Sequence, residues 1–381
     1  MSIPSVDRLL SDLVALPSVN AGAAGLCDET CGEARVADYL CALWSSAGID
    51  YARLPLAPGR DNVVARLDAP GCPTLLLESH MDTVPPNPAT AHPFTPRVEV
   101  DRLYGLGACD DKASLAAMVH ATLRAASSGN LARSVVMAAT IDEEYTFLGA
   151  SGLLDAGLTA DEAVIGEPTS LRVVVAHKGA ARWRLTTSGV SAHSSDPTLG
   201  VNAIYRMARL VAALEDYHAA LQALPPHPLL GTRAFNVGAI HGGAMANIVP
   251  DACEILTDRR VLPGEDFDAD VMPHFRAFVG ERLGADFEYG LEVLLHDPPL
   301  DDAANGALAE RLLRLAHDAM GEMSPVGVNF GTNGSKYAAA GIPSVVFGPG
   351  HIAQAHVADE WVSLPDVALA SDLYLRLITA P

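Results

Sequence analysis

The sequence predicts an α/β protein with a mixed, mostly parallel sheet flanked by helices, and a second domain inserted into the first. Short, continuously apolar runs recur along the chain, and segments with helical spacing or many small residues separate them. Continuous apolar strands alternating with helices are typical of a sheet that is covered on both faces. Between residues 177 and 297 this rhythm changes, which predicts the insertion.

The chain opens with a predicted amphipathic helix, because Val6, Leu9, Leu10, Leu13 and Val14 recur on one helical face. In the sheet domain, continuous apolar runs predict the strands. Segments rich in small and apolar residues predict the helices. We predict strands at 62–67, 74–78, 134–141, 163–165 and 344–347, and helices at 111–127 and 148–156.

The inserted region reads as strand, helix, two strands, helix and strand. The predicted elements are 179–187, 202–224, 235–240, 252–260, 268–283 and 287–295. This βαββαβ order is that of a ferredoxin-like domain. We therefore expect a discontinuous sheet domain at 1–176 and 298–381, and an inserted domain at 177–297.

Composition excludes several classes of partner. The formal net charge is −21, from 25 basic and 46 acidic residues, so nucleic acid and anionic membrane surfaces would repel the chain. No apolar run is long enough to span a bilayer. Six cysteines without paired CxxC motifs predict free thiols and a cytoplasmic protein. A disulfide between Cys27 and Cys31 is the alternative.

Residues capable of chemistry follow the predicted strands, at the sheet edge where ligands bind in parallel sheets. They lie in five loops: 78–82 (ESHMD), 110–112 (DDK), 142–144 (DEE), 166–169 (GEPT) and 351–360 (HIAQAHVADE). If strand geometry continues through the first loop, His80 and Asp82 project to the same side, and Asp82 can orient the His80 ring for a metal. Three adjacent acids repel one another unless cations neutralise them.

Each loop alone has a simpler explanation. His80 and Asp82 can belong to a polar turn, Asp110 can cap the following helix, and 142–144 can be a solvated acidic turn. Together, nitrogen and oxygen ligands without cysteine suit Zn²⁺, Mn²⁺ or Co²⁺. Five ligands exceed the three that a catalytic zinc uses, and two ions sharing a bridging carboxylate would use all five.

As an ordered set, these motifs resemble the M20 family of di-metal amidohydrolases. The resemblance covers essentially the whole chain. It implies a di-zinc exopeptidase-like catalytic domain and an inserted domain that serves as a lid and dimerises. It is carried by His80-Met81-Asp82, Gly105-x-Gly107-Ala108-x-Asp110, Asp142-Glu143-Glu144, Gly166-Glu167-Pro168-Thr169 and Gln354-Ala355-His356.

The resemblance implies a role for each metal ligand. His80 and Glu167 would bind one divalent ion, and His356 and Glu144 would bind the other. Asp110 would bridge the two ions. We expect both ions to be zinc, with cobalt or manganese as alternatives.

The resemblance also implies catalytic and substrate-binding roles. Glu143 would be the general base, and Asp82 would be the partner of His80. His193, in GVSAHSS, would reach the active site of the other subunit and bind the oxyanion. Asn247 and Arg260 would hold the substrate, with the Arg260 guanidinium on its carboxylate. From the residues alone, His193 could instead cap its own turn and Arg260 could pair with Asp258.

The expected function is hydrolysis of the amide bond of an N-acyl amino acid. Leu106 and the GPGHIAQAH stretch are most similar to the acetylornithine deacetylase branch, so N-acetylornithine is the expected substrate. Alternatives within the family are succinyl-diaminopimelate desuccinylase, aminoacylase, and dipeptidase or carboxypeptidase. An inactive metal-binding scaffold is the non-enzymatic alternative, against which the retained ligands and Glu143 argue. We expect a homodimer formed through the inserted domain.

Overall fold

The computed structural model describes residues 3–20, 22 and 28–380. Cys27 lies outside these residues, and with it the Cys27–Cys31 pairing considered above. The chain forms two compact units. The first unit comprises the chain up to Val175 together with Asp302–Val326 and the residues from Thr332 onward, and the second comprises Ala176–Asp301 and Gly327–Gly331.

The helices and strands are numbered in chain order. The helices are α1 (Val6–Val14), α2 (Ala34–Ala47), α3 (Lys112–Ser128), α4 (Leu148–Asp155), α5 (Ala203–Ala223), α6 (Met272–Leu283), α7 (Gly306–Met320), α8 (Gly334–Ala339) and α9 (Leu364–Thr379). The strands are β1 (Asp50–Ala57), β2 (Arg60–Leu67), β3 (Thr74–His80), β4 (Arg97–Glu99), β5 (Arg102–Tyr104), β6 (Ser134–Thr140), β7 (Glu162–Ile165), β8 (Val174–His177), β9 (Gly179–Ser188), β10 (Ala234–Gly242), β11 (Ala252–Val261), β12 (Gly290–Asp297), β13 (Val326–Val328), β14 (Ser344–Val346) and β15 (Trp361–Ser363).

The eight-stranded sheet has the strand order β1-β2-β6-β3-β7-β14-β8-β13, and its first six strands in this order lie wholly in the first unit. Its centre is parallel, because β6, β3, β7 and β14 run in the same direction. Towards the edges, β1, β2 and β8 pair antiparallel with their neighbours. The prediction of a mixed sheet flanked by helices is thus confirmed, with three parallel pairs at its centre and antiparallel pairs on either side. The parallel centre brings the carboxyl ends of β3, β6 and β7 to one edge.

Helices cover both faces of this sheet. On one face, α1, α3 and α9 pack together and share a core cluster with Leu75, Leu77 and Val164. Ile165 follows Val164 and therefore points to the other face, where it lies beside Gly334 of α8. The amphipathic spacing of the first helix buries Leu9, which is 0% exposed.

The second unit has the strand order β10-β11-β9-β12, with all neighbours antiparallel. Its core is formed by apolar side chains of helices α5 and α6, among them Phe275 of α6, which pack with Trp183 of β9. The predicted helix at 268–283 differs in its start, because a short π-helical turn at Phe267–Val271 precedes α6. Gly327–Gly331 belongs to this unit, where the Lys178 N–H donates to the carbonyl oxygen of Val328.

Among the described residues, none of the helices has the length and apolar composition that a transmembrane span needs. Cys41, Cys72, Cys109 and Cys253 are free thiols.

Candidate metal centre

Three neighbouring parallel strands bring the predicted ligands to one edge of the sheet. β3 ends at His80 itself, the acidic run 142–144 follows β6, and Glu167 follows β7. Asp110 precedes α3, the helix that packs on β3 and β6. Side chains distant in sequence thus meet in one place within the first unit, as parallel topology requires.

The first group of ligand atoms comes from His80, Asp110 and Glu167, and these atoms all lie within 4.8 Å of one another. All three residues are buried, with His80 only 1% exposed. The Nε2 atom of His80 lies 3.1 Å from Oδ1 of Asp110.

The second group combines Asp110 with Glu144 and His356, again with ligand atoms within 4.8 Å of one another. The Nε2 atom of His356 lies 3.4 Å from Oδ2 of Asp110 and 3.1 Å from Oε1 of Glu144. Asp110 therefore turns one carboxylate oxygen towards each histidine. A carboxylate in this position can bridge two cations.

The electrostatics of this cluster fit divalent cations. Burial, together with the negative charges of Glu143 and Asp110, raises the pKa of Glu167 well above its usual range. Burial likewise raises the pKa of Glu143 and of Glu144, and neighbouring carboxylates add to both shifts. Carboxylates that crowd together in a buried site need positive charge to remain ionised. Their oxygen atoms and the two imidazoles form a donor set for zinc, cobalt or manganese.

The two histidines form hydrogen bonds with these carboxylates and so offset part of their negative charge. Bonds to Asp110 and Glu144 raise the pKa of His356 to about 10. Burial alone would lower the pKa of His80, but its contacts with Asp110 and Asp82 outweigh burial and hold it well above the ordinary value. The raised pKa values mean that both imidazoles are readily protonated. A bound metal ion would replace these protons as the positive charge beside the carboxylates, because a histidine ligand has to be neutral.

Asp82 contacts the Nδ1 atom of His80 through both its backbone carbonyl and its carboxylate. The Nδ1 atom of His80 lies 3.0 Å from the carbonyl oxygen of Asp82, and 3.5 Å from its carboxylate. This carboxylate accepts hydrogen bonds from the backbone N–H groups of Glu143 (3.2 Å) and Glu144 (3.1 Å). Asp82 thus connects the His80 strand to the loop that carries the candidate base.

A buried network behind this loop was missed by sequence reasoning. Arg60 on β2 forms two hydrogen bonds with Glu33, at 2.8 and 2.5 Å, and a third with Asp142 at 2.8 Å. Asn20 donates to both Asp142 (3.0 Å) and Asp82 (2.7 Å). The sequence signal was present in part, since three adjacent acids require a cation. Arg60 supplies that charge to the first of them.

The candidates in the second unit make local contacts. His193 is exposed, and its Nδ1 atom lies 2.7 Å from Oγ of Ser195. The backbone carbonyl of Asn247 accepts from the N–H of Ser194 at 3.0 Å, so these two loop segments are joined. Arg260 is half-buried and its Nε lies 2.8 Å from Oδ1 of Asp258. Within this unit, the contacts follow the turn-capping and ion-pair alternatives.

Comparison with known proteins gives consistent matches over the chain. The family model described as peptidase family M20/M25/M40 matches residues 76–380. Acetylornithine deacetylase of Proteus mirabilis is 32% identical over 99% of this chain and 97% of its own length.

Solved structures with the same fold include an M20 family metallo-carboxypeptidase of Sulfolobus solfataricus. It superposes with a TM-score of 0.79 at 20% identity, covering 98% of this chain and 99% of its own. A dinuclear metal-binding M20 peptidase of Bacillus subtilis gives a TM-score of 0.70 at 16% identity, covering 98% and 97%. With the family model matching most of its length, the chain belongs to peptidase family M20/M25/M40 and is a metallo-amidohydrolase of that family.

Proposed function

We propose that this chain is a two-metal deacylase that cleaves N-acetylornithine to ornithine and acetate. The observation that carries the proposal is the shared carboxylate of Asp110, which lies between two groups of candidate ligands. The substrate assignment is supported by curated relatives at 30–32% identity, which are named acetylornithine deacetylase and match over nearly the whole chain.

In this proposal, His80 and Glu167 hold one ion, His356 and Glu144 hold the other, and Asp110 touches both. Zinc is the proposed ion, with cobalt or manganese as alternatives. When bound, the pair would polarise the amide carbonyl and lower the pKa of the attacking water.

Glu143 is the proposed general base. Its backbone is held by Asp82, and its side chain lies among Asp110, Glu144 and His80, close enough for their charges to shift its pKa. Glu143 would take a proton from the water that attacks the amide carbon, and would pass it to the leaving nitrogen. The five metal ligands would then take no part in the proton transfer.

Substrate recognition is assigned to the second unit. Arg260 would bind the substrate carboxylate with its guanidinium, Asn247 would donate to the substrate, and His193 would stabilise the tetrahedral oxyanion. This assignment requires that Arg260 exchange or share its bond with Asp258. Its support is the motif resemblance and the joining of the His193 and Asn247 segments by backbone hydrogen bonds.

A homodimer formed through the second unit completes the proposal. In the four-stranded sheet, β10 is an edge strand paired with β11, and edge strands are commonly paired or protected. Exposed apolar side chains surround the same region: Val190 (54%), Val201 (44%), Ile240 (55%) and Ile248 (41%). A two-fold pairing of this surface would cover them and bring His193 of one chain to the other.

The proposed substrate is tested with purified protein loaded with Zn²⁺, Co²⁺ or Mn²⁺. N-acetylornithine, succinyl-diaminopimelate, N-acetylmethionine and a dipeptide are compared by kcat/KM. We expect N-acetylornithine to give the highest value. Glu143→Gln serves as the control for contaminating hydrolases, because it removes the proposed base while keeping the side-chain shape. A clear preference for the succinyl substrate would transfer the protein to the desuccinylase branch.

A further inference from the structure

Glu360 brings a buried carboxylate to the loop that carries the bridging ligand. Its side chain is 4% exposed. One oxygen, Oε1, accepts hydrogen bonds from the backbone N–H groups of Cys109 at 2.8 Å and Asp110 at 3.0 Å. The other, Oε2, accepts from the N–H of Gly107 at 2.8 Å. Three main-chain donors of one short loop thus converge on a single carboxylate.

From this geometry we infer that Glu360 is the positioning residue for the bridging carboxylate of Asp110. The inference rests on the proposed two-metal function. Glu360 shapes the backbone from Gly107 to Asp110, and this backbone determines where the Asp110 side chain points. That side chain has to place one oxygen near His80 and the other near His356, at the 3.1 and 3.4 Å seen here.

The loop takes a shape that a side chain at position 107 would obstruct. Gly107 has a φ of +76°, and a Cβ there would lie 2.7 Å from the Cγ2 atom of Thr83. The backbone is therefore in a left-handed conformation against a close neighbour, which a glycine accommodates. The nearby Lys112 donates its hydrogen bond elsewhere, from Nζ to the carbonyl oxygen of Leu16 at 2.8 Å, so the oxygens of Glu360 serve the backbone of this loop.

Glu360 also couples two ligand-bearing segments. It lies four residues after His356, so one stretch of chain carries both a metal ligand and the group that orients the shared ligand. The backbone continues this connection, because the Glu360 carbonyl accepts from the N–H of Gly105 at 3.1 Å and β15 pairs with β5 directly afterwards. Displacing Glu360 would disturb both ion sites together, through Asp110.

The test compares Glu360→Gln with Glu162→Gln. Glutamine keeps the size of the side chain but replaces one acceptor oxygen by an NH₂ group, which would face an N–H donor. Glu162 is the matched control: it is a buried carboxylate of the same unit, at the opposite end of β7 from Glu167, and it pairs with Arg133 and Arg311. Both variants lose a buried carboxyl group, but only Glu360→Gln changes the loop of Asp110.

The readouts are the affinities for both ions, measured by Zn²⁺ competition with a chelator, and the visible absorption spectrum of the Co²⁺-loaded protein. For Glu360→Gln we expect both affinities to fall roughly 10–100-fold, the range seen when groups supporting metal ligands are changed. We also expect an altered Co²⁺ spectrum, and a loss in kcat with little change in KM. Glu162→Gln should keep the wild-type affinities and spectrum, even if its thermal stability falls.

The outcomes separate this inference from the proposed function. If the wild-type protein binds fewer than two ions, the two-metal centre is wrong and the inference fails with it. If the wild type binds two ions and Glu360→Gln binds them with unchanged affinity and spectrum, the centre stands and the role of Glu360 is overturned. Should Glu360→Gln fail to fold, Glu360→Asp, which shortens the side chain by one methylene, is judged by the same two readouts.

Discussion

His80 and His193 show how differently the two units hold their candidate residues. His80 is 1% exposed, and its Nε2 atom contacts Asp110, a residue 30 positions further along the chain, in another segment of the first unit. His193 lies on the surface of the second unit, and its Nδ1 contacts Ser195 two residues further along the chain.

This contrast separates the residue roles that contacts within one chain can explain from the roles that require a second molecule. In the first unit, long-range contacts bring the candidate groups together, so their chemistry can be read from distances and charges. In the second unit, the side-chain contacts of His193 and Arg260 are local, and the proposed roles depend on a partner or a substrate. Variants of the first unit and of the second unit can therefore be tested separately.

The strongest test of the first unit is Asp110→Ala. Because only Asp110 belongs to both ligand groups, we expect this variant to lose both ions and all measurable activity. His80→Ala, as the comparison, should impair one site and keep the other. Metal content by elemental analysis and activity after re-addition of Zn²⁺ are the measurements. Equal losses of metal in the two variants would contradict a bridging role.

Adjacent residues of the acidic loop should separate base from ligand. Glu143→Ala should lower kcat roughly 10²-fold or more, as expected for removal of a general base, while keeping its ions. Glu144→Ala should lose metal instead, because its carboxylate faces His356. Elemental analysis beside steady-state kinetics distinguishes them, and the reverse pattern would exchange the two assignments.

The second unit is tested by mixing inactive chains. His193→Ala and Glu143→Ala chains should each be inactive alone. If His193 acts in the partner's site, the mixed dimer has one site with both defects and one with neither, so about half the normal activity should return, provided the sites are independent. Differently tagged chains confirm that subunits have exchanged. An absence of activity in proven mixed dimers would place His193 in its own chain's chemistry.

Arg260→Ala should have the smallest effect of this set. Loss of a charged hydrogen bond to the substrate carboxylate should raise KM roughly tenfold, about 1.4 kcal/mol, with little change in kcat. Arg182→Ala is the matched control, because Arg182 also pairs with Asp258, at 3.1 Å. If both variants raise KM equally, the effect comes from freeing Asp258 and not from the substrate.

The sequence predicted the parts of the site that depend on strand order. His80 and Glu167 come at strand ends, and parallel strands carry their ends to one edge, so their convergence follows from local patterns. Arg60 and Glu360 could not be predicted in this way. Arg60 contacts Asp142, which lies 82 positions further along the chain, and Glu360 contacts Asp110, which lies 250 positions earlier. Neither contact produces a periodicity or a spacing that the sequence would show.

The hydrogen bonds between Asp82 and the following acidic loop were also beyond sequence reasoning. Strand alternation placed its side chain near His80, but the backbone N–H groups of Glu143 and Glu144 offered its carboxylate better hydrogen bonds. The loop that carries these donors begins at Asp142, which has a φ of +65°. The sequence Asp-Glu-Glu alone does not predict this turn.

The position of β14 in the sheet has a consequence for synthesis on the ribosome. β14 lies between β7 and β8, yet the whole of Ala176–Asp301 is translated between Ile165, where β7 ends, and Ser344. Domains generally fold as units as they emerge, and the second unit has a core of its own. It can therefore fold first, while the nascent sheet keeps the edge of β7 unpaired and lacks α9 over α3. Open strand edges are prone to pairing with other chains, so the nascent chain is most exposed to such pairing in the interval before residue 344 emerges.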